Sequence, residues 1–420
     1  MMISESRRTR AHFDWQLLVA VYALSLFGIY CIASATYDPD KGTDLNLLTL
    51  VMNSRSSMWQ SIFVLASPVV IALTVSAPLD LFRGKLTRVI YFAVVVLLLA
   101  TLITATAVNG TRNWFNSGVG RAFQPAEFSK MAVLLALARH FTRSEKPMGT
   151  LKDFIRTLVI VGLPAGIVLL QGETGSVIVI GVMFIIMAIF SGADIRLIIG
   201  LVFVAALGIG SIIAYALLTG STDYRILRLM AFTDPQSYYS SGGYQVLNSQ
   251  KAIGSGQLTG VGAFTLGTVT QLGGVPENST DFILATIGEA FGFAGICAVL
   301  GTYLFIILRM IYLARFTTDR YGRLAIAGVT GMLFFHVFQN ISMCLGLMPI
   351  TGIPLPFLSY GGSNYMTNIA GIGLVLNVTR SRSAAGNADP AGVYTEGAGI
   401  KHFLSRRGNA IYHRGNSVNS

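Results

Sequence analysis

Apolar residues run almost unbroken through ten stretches of the chain, about 15–36, 59–77, 89–108, 126–141, 156–171, 174–192, 197–219, 282–308, 324–347 and 364–379. A helix needs roughly 20 such residues to cross about 30 Å of hydrocarbon. The fourth and fifth stretches are short for this and the seventh is long. The pattern predicts an all-α polytopic membrane protein of about ten transmembrane helices. No repeat of fixed period interrupts it, and no polar segment is long enough to fold alone. Residues 1–380 therefore read as one transmembrane domain, and 381–420 as a small, polar, basic tail without stable structure.

Composition agrees. Charged residues make up 12% of the chain and hydrophobic ones 53%, with a mean hydropathy of +0.63; ordinary domains carry about 25% charged residues. An even number of spans puts both termini on one side. With the N-terminus inside, 22 of the 30 Lys and Arg fall in cytoplasmic segments, so the positive-inside rule makes both termini cytoplasmic. The net charge of +11 is then mostly a topological signal, with some attraction to anionic lipid, and calls for no nucleic acid. The first span ends in Ala33-Ser34-Ala35, which mimics a signal-peptide cleavage site, but its apolar core is long and is expected to stay as a helix. Cys31, Cys297 and Cys344 all lie in apolar spans, which suggests neither a disulfide framework nor a zinc site.

This topology puts the largest polar loop, about 220–280 between the seventh and eighth spans, outside the cell. It is rich in Gly, Ser, Tyr and Gln, and its glycines permit tight turns and close backbone approach to a ligand. The acids that are not topological markers gather on the same face: Glu127, Glu173, Glu277, Asp281 and, inside the eighth span, Glu289. Arg121, Lys130 and Lys251 join them. A basin of both signs beside the membrane suits a polar, anionic headgroup better than a pore lined by one sign.

Asp281 stands where the loop meets the eighth span, and ionisable groups at such edges are costly and tend to mark function. A plainer reading has Asn278, Ser279 and Thr280 capping the helix, with Asp281 favouring its dipole. Pro125 fits the first position of a helix, and Glu127 and Lys130, three apart, share a face. They form either a local ion pair or a phosphate-binding lysine held by its glutamate. Between Met348 and Ser363, prolines and glycines forbid continuous helix. The apolar content there predicts a packed or re-entrant loop. His336, Gln339 and Asn340 suit interhelical hydrogen bonds. Glu289 is either a paired structural carboxylate or a group with a shifted pKa.

Four motifs resemble the SEDS family (shape, elongation, division and sporulation; RodA/FtsW/SpoVE-like). They are F-Q-P-x-E-x-x-K (Phe123 to Lys130), G-Y-Q-x-x-x-S-Q-x-A-I-G-S-G (Gly243 to Gly256), V-P-E-x-x-T-D-F-I-x-A-x-I-G-E (Val275 to Glu289) and P-x-T-G-I-P-L-P-F-L-S-Y-G-G-S (Pro349 to Ser363). The Gly352-Ile-Pro-Leu-Pro356 run is similar to the elongation (RodA) branch, a form that sporulation members share. The resemblance implies a ten-helix, multi-pass protein of the bacterial cytoplasmic membrane. It implies a peptidoglycan glycosyltransferase that polymerises lipid II and releases undecaprenyl diphosphate, with inversion at the anomeric carbon.

Carried over by motif, Asp281 is the catalytic aspartate, expected to take the proton of the attacking sugar hydroxyl. Lys130, Glu127, Arg121 and Lys251 are expected to bind the substrate diphosphate, with Glu277, Glu289, Ser359 and Ser363 in support. The implied partners are lipid II, the undecaprenyl-linked glycan, a class B penicillin-binding protein and membrane proteins of the elongation complex. A divalent cation, magnesium or manganese, is compatible with diphosphate chemistry, but no ligand cluster stands out and no metal residue is assigned. Three departures from the family pattern are visible: Glu173 stands for the usual Asp, Ala290 for the second acid of G-E-E-x-G, and Ser279 for a common His. Two rivals stay open, a transporter that flips lipid II and a scaffold for a partner's activity.

Overall fold

The computed structural model describes residues 13–37, 49, 51–52, 54–105, 114–116, 121–219 and 224–385. The helices, in chain order, are α1 (Trp15–Ala35), α2 (Arg55–Ser76), α3 (Leu79–Arg83), α4 (Lys85–Thr104), α5 (Pro125–Arg143), α6 (Leu151–Leu170), α7 (Thr174–Ser191), α8 (Ile195–Thr219), α9 (Tyr224–Thr233), α10 (Gly243–Ser255), α11 (Ile283–Phe316), α12 (Arg320–Cys344) and α13 (Gly362–Ala385). A two-stranded antiparallel ribbon, β1 (Phe115–Asn116) and β2 (Arg121–Phe123), precedes α5.

Seven helices among the described residues, α1, α2, α4, α6, α7, α11 and α12, are long and apolar enough to cross a membrane. The other three predicted stretches fall on the helices α5, α8 and α13, which do not meet that criterion. The fourth departs from the apolar criterion for a physical reason: α5 carries Glu127, Lys130, Arg139 and Arg143. The tail beyond Ala385 lies outside the described residues.

α12 is the centre of the bundle: 78% of its most apolar stretch is buried, against 22% for α2 and α6. Small residues allow this. A Cβ on Gly328 would sit 2.8 Å from Leu134 and 2.9 Å from Met187, and one on Gly331 would sit 2.8 Å from Ile186, so α5 and α7 press close against α12.

Charged residues tie the helices together at the end of the bundle away from Asp281. Asp14 caps α1 through Leu17 N (3.0 Å) and pairs with Arg309 on α11 (2.8 Å). Asp319 caps α12 through Gly322 N (2.8 Å) and pairs with Arg83 (2.6 Å). Each of these carboxylates satisfies orphan helix N–H groups and a cation at once.

At the other end, α11 is a broken helix. Gly292, at φ 63° and ψ −162°, interrupts it. The freed backbone groups are met by residues 257–262, which cross the break as a strap: Phe293 N donates to Gln257 O (2.8 Å), Ala294 N to Leu258 O (3.0 Å), Val261 N to Glu289 O (2.9 Å) and Gly262 N to Ala290 O (3.0 Å). Irregular backbone within a membrane bundle persists only when such partners exist.

The loop at 220–280 contains α9, a 3₁₀ turn at Tyr239–Ser241 and α10, and apolar residues such as Val246 and Ala252 pack it on the bundle. The Asn278-Ser279-Thr280 segment does not cap α11, whose N-cap is Phe282 with no side-chain cap.

Candidate active site

The segment before α11 is coiled tightly. Glu277 sits at φ 56°, a conformation uncommon for a residue with a side chain. It persists because the Glu277 carbonyl accepts from both Thr280 N (3.1 Å) and Phe282 N (3.1 Å). Asn278 holds the same turn from the side, donating to Ala35 O (3.1 Å) and Thr270 O (2.9 Å). Asp281 is thereby fixed at the mouth of α11, half-buried, with its backbone carbonyl bonded to Asn340 Nδ2 at 2.7 Å.

The surroundings of its carboxylate are set by three separate elements. A Cβ placed on Gly352 (φ 69°) would lie 3.4 Å from Asp281 Oδ2 and 3.9 Å from Arg228 Nη1. Carboxylate and guanidinium therefore face one another across a glycine that leaves them room. Burial raises the Asp281 carboxyl to about 7, the negative charge of Glu277 adds to the rise, Arg228 opposes it, and Glu173 adds a little more. A carboxyl poised near neutrality suits a general base.

Lys130 lies deeper than a surface cation, 1% exposed. Its Nζ is 2.8 Å from Glu127 Oε1 and 2.9 Å from His336 Nε2. An ammonium can only donate, so His336 accepts through Nε2 and carries its ring proton on Nδ1. Asn364 Nδ2 donates to the other Glu127 oxygen at 2.9 Å and is itself braced by Asn368. A buried charge pair persists only with its remaining lone pairs satisfied, and here α5, α12 and α13 each supply a partner. His336 and Asn340 are one turn apart on α12, about 6 Å along the axis, so one helix face carries both the Lys130 network and the Asp281 carbonyl.

The remaining candidates are spread more widely. Glu289 accepts from Val269 N (2.7 Å), Thr270 N (2.9 Å) and Thr270 Oγ1 (2.5 Å), and so clamps the segment that follows the strap to α11. Ser359 Oγ accepts from Leu355 N at 2.8 Å and Ser363 Oγ from Gln124 N at 3.0 Å, so both hold the segment between Met348 and Ser363 in place. That segment packs tightly, since a Cβ on Gly28 would meet Leu358 O at 2.7 Å and one on Gly175 would meet Thr351 O at 2.9 Å. Glu173 accepts from Gln124 Nε2 at 2.8 Å and from Ser176. Glu277 and Lys251 are exposed, and the Arg121 side chain lies outside the described residues. Among the described residues no group of three or more His, Cys, Asp or Glu side chains is placed to hold a metal ion. Arg228 and Asn364 are the residues that sequence reasoning passed over. Arg228 and Arg225, three apart in an otherwise apolar α9, were the available signal.

A family model described as "Cell cycle protein" (FTSW_RODA_SPOVE) matches residues 15–384. The chain belongs to this SEDS family. It is 31% identical over 373 residues to the peptidoglycan glycosyltransferase MrdB of Escherichia coli K12, covering 89% of this chain and 95% of that one. It is 30% identical to the peptidoglycan glycosyltransferase RodA of Treponema pallidum, covering 87% and 97%. It is also 30% identical to the probable peptidoglycan glycosyltransferase FtsW of Bacillus subtilis, covering 87% and 90%. Among solved structures, a chain from a peptidoglycan synthase complex that coordinates polymerization and crosslinking superposes with a TM-score of 0.70 at 26% identity, covering 88% of this chain and 98% of that chain. The crystal structure of Thermus thermophilus RodA gives 0.62 at 27% identity, covering 88% and 97%. As a SEDS member with seven helices among the described residues apolar enough to span, this is a multi-pass membrane protein.

Proposed function

We propose that this SEDS protein is a peptidoglycan glycosyltransferase that polymerises lipid II at the outer face of the bacterial cytoplasmic membrane, with Asp281 as the general base. The observation that carries the reading is the Asp281 carboxylate. It has no helix-capping duty, its carboxyl is raised to about 7, and its own backbone carbonyl is held at the mouth of a broken helix by Asn340. It would take the proton from a sugar 4-hydroxyl as that oxygen attacks an anomeric carbon, expelling a lipid diphosphate. A diphosphate leaves as a stable anion, so it needs positive charge more than a proton. Lys130 is assigned to set the potential of that region from within, Glu127 to orient Lys130, and Arg121 and Lys251 to meet the diphosphate directly. Magnesium or manganese would serve the same end, bound with the substrate's own oxygens.

Residues 1–380 form the transmembrane domain and 381–420 a cytoplasmic tail in this reading, with both termini inside. The clustering of Arg83, Arg309 and Arg320 at the end of the bundle away from Asp281 supports that orientation. The partner is a class B penicillin-binding protein, a reading supported by the related chain solved within a synthase complex that links polymerization to crosslinking. The test is glycan synthesis from lipid II by the purified full chain together with its transpeptidase partner. Wild type is expected to yield polymer and Asp281→Asn none; equal polymer from both would remove Asp281 as base.

A further inference from the structure

A cavity of about 390 Å³ opens between α9, the 3₁₀ turn, α10 and the segment before Asp281. Its lining includes Arg228, Tyr239, Ser240, Tyr244, Gln245 and Pro276. Its volume falls in the range of small-molecule sites. Arg228 belongs to this wall and also lies near the Asp281 carboxylate across Gly352, so one side chain links the cavity wall to the catalytic position. Tyr244 and Gln245 open the G-Y-Q motif, and the catalytic reading assigns neither of them a role.

We infer that this cavity is a saccharide subsite, holding one sugar ring of the glycan substrate beside Asp281. The inference rests on the proposed glycosyltransferase activity. Tyr239 and Tyr244 meet at 5.1 Å between ring centroids and 79° between planes, so together they offer a face and an edge at right angles. A sugar ring has one face of C–H groups that packs on an aromatic surface and a rim of hydroxyls that seeks donors and acceptors. Gln245, Ser240 and the two phenol hydroxyls supply that rim. A lipid chain would ask for a lining without these polar groups. A diphosphate would ask for several cations, whereas the lining contains one guanidinium, already facing a carboxylate.

The position of Tyr239 fits a binding surface rather than a core: its side chain is 48% exposed although its ring is anchored by Tyr244. A Cβ on Gly242, at φ 124°, would sit 3.1 Å from Ile350, so the turn carrying Tyr239 lies close against the segment between Met348 and Ser363. The two walls of the cavity are thus referenced to the same backbone that frames Asp281.

The test uses the full-length protein in detergent and the lipid-free disaccharide of the polymer as probe, read by saturation-transfer NMR. It is paired with lipid II polymerisation in the presence of the transpeptidase. Wild type should bind the disaccharide, and Tyr239→Ala and Tyr244→Ala should weaken binding and raise KM roughly tenfold, the equivalent of one lost ring contact. The shape-preserving Gln245→Leu should do so with an unchanged melting temperature, and Tyr244→Phe should retain most of the affinity. Binding and KM within twofold of wild type in Tyr239→Ala, Tyr244→Ala and Gln245→Leu would overturn the subsite while leaving the polymerase intact. A wild type that makes no glycan would instead overturn the activity, and the disaccharide measurement, which needs no turnover, would still decide the subsite.

Discussion

Asn340 donates both of its amide hydrogens to backbone carbonyls that flank the candidate base, Asp281 O at 2.7 Å and Ile353 O at 2.8 Å. One side chain on the central helix therefore ties the segment before α11 to the segment between Met348 and Ser363. Replacing it by Ala would strip the buried Ile353 carbonyl of this donor at about 1–3 kcal/mol and leave the Asp281 carbonyl only the weak Cys344 thiol donor at 3.7 Å. The expected result for Asn340→Ala is a lower melting temperature and a fall in turnover of at least tenfold, measured on purified protein. Asn340→Asp, which keeps the shape and loses the donors, should be no better. Turnover within twofold of wild type in Asn340→Ala would show that Asp281 is held by other contacts.

The carboxyl of Asp281 is raised to about 7, and a base works only when deprotonated. Polymerisation should therefore rise with pH through about 7, with an ascending limb governed by one group. Glu277→Gln removes a negative neighbour and should move that limb to lower pH; Arg228→Gln removes a positive one and should move it higher. The stability effect has the opposite sign to that of a salt-bridged carboxylate. A carboxyl raised above its ordinary 3.8 favours the folded state when protonated, so its contribution is full below about 3.8 and is lost as pH rises to about 7. A pH–rate profile for wild type and the two variants checks the order of the three limbs.

Much of this site was readable from the chain, and the reason it was not all readable is geometric. The ion pair of Glu127 and Lys130 follows from a spacing of three on a helix, and the structure places the two at 2.8 Å. His336 and Asn340 followed from helical periodicity in the same way. Their partners did not, because Asn364 lies 237 positions from Glu127 and no local rule links them. The strap across Gly292 was hidden for the same reason. A glycine inside an apolar run reads as a tolerated helix residue until the chain that satisfies its neighbours is seen. Arg228 was concealed by its segment, a loop by composition that folds as an amphipathic helix.

Lys130 and Glu127 are both buried, so removing either charge leaves the other unpaired at a cost of about 3–5 kcal/mol. Lys130→Met and Glu127→Gln should each lower the melting temperature in detergent. The double variant removes both charges and should recover most of that loss. If Lys130 acts on the substrate through its charge, the recovered double variant will remain inactive in lipid II polymerisation. Recovery of activity together with stability would make the pair purely structural.

The break in α11 offers the last test. A Cβ on Gly292 would fall 2.5 Å from Gly260 N and 2.6 Å from Leu258 C, and one on Gly260 would fall 2.2 Å from Ala290 O. In each case the obstacle is backbone, which cannot rotate away as a flexible side chain does. Both residues also hold positive φ, at 63° and 83°, so a side chain adds strain to the clash. Gly292→Ala and Gly260→Ala should therefore detach residues 257–262 and leave the backbone of the break unpaired. The Glu289 clamp on Val269 and Thr270 would then hold only the segment beyond the strap. Limited proteolysis should cut both variants within 256–274 faster than wild type, with a large loss of polymerisation. Gly301, lower on the same helix with nothing within 4 Å of its Cβ position, is the control: Gly301→Ala should match wild type in both assays. Equal proteolysis of Gly292→Ala and Gly301→Ala would mean that the strap is not held by the break.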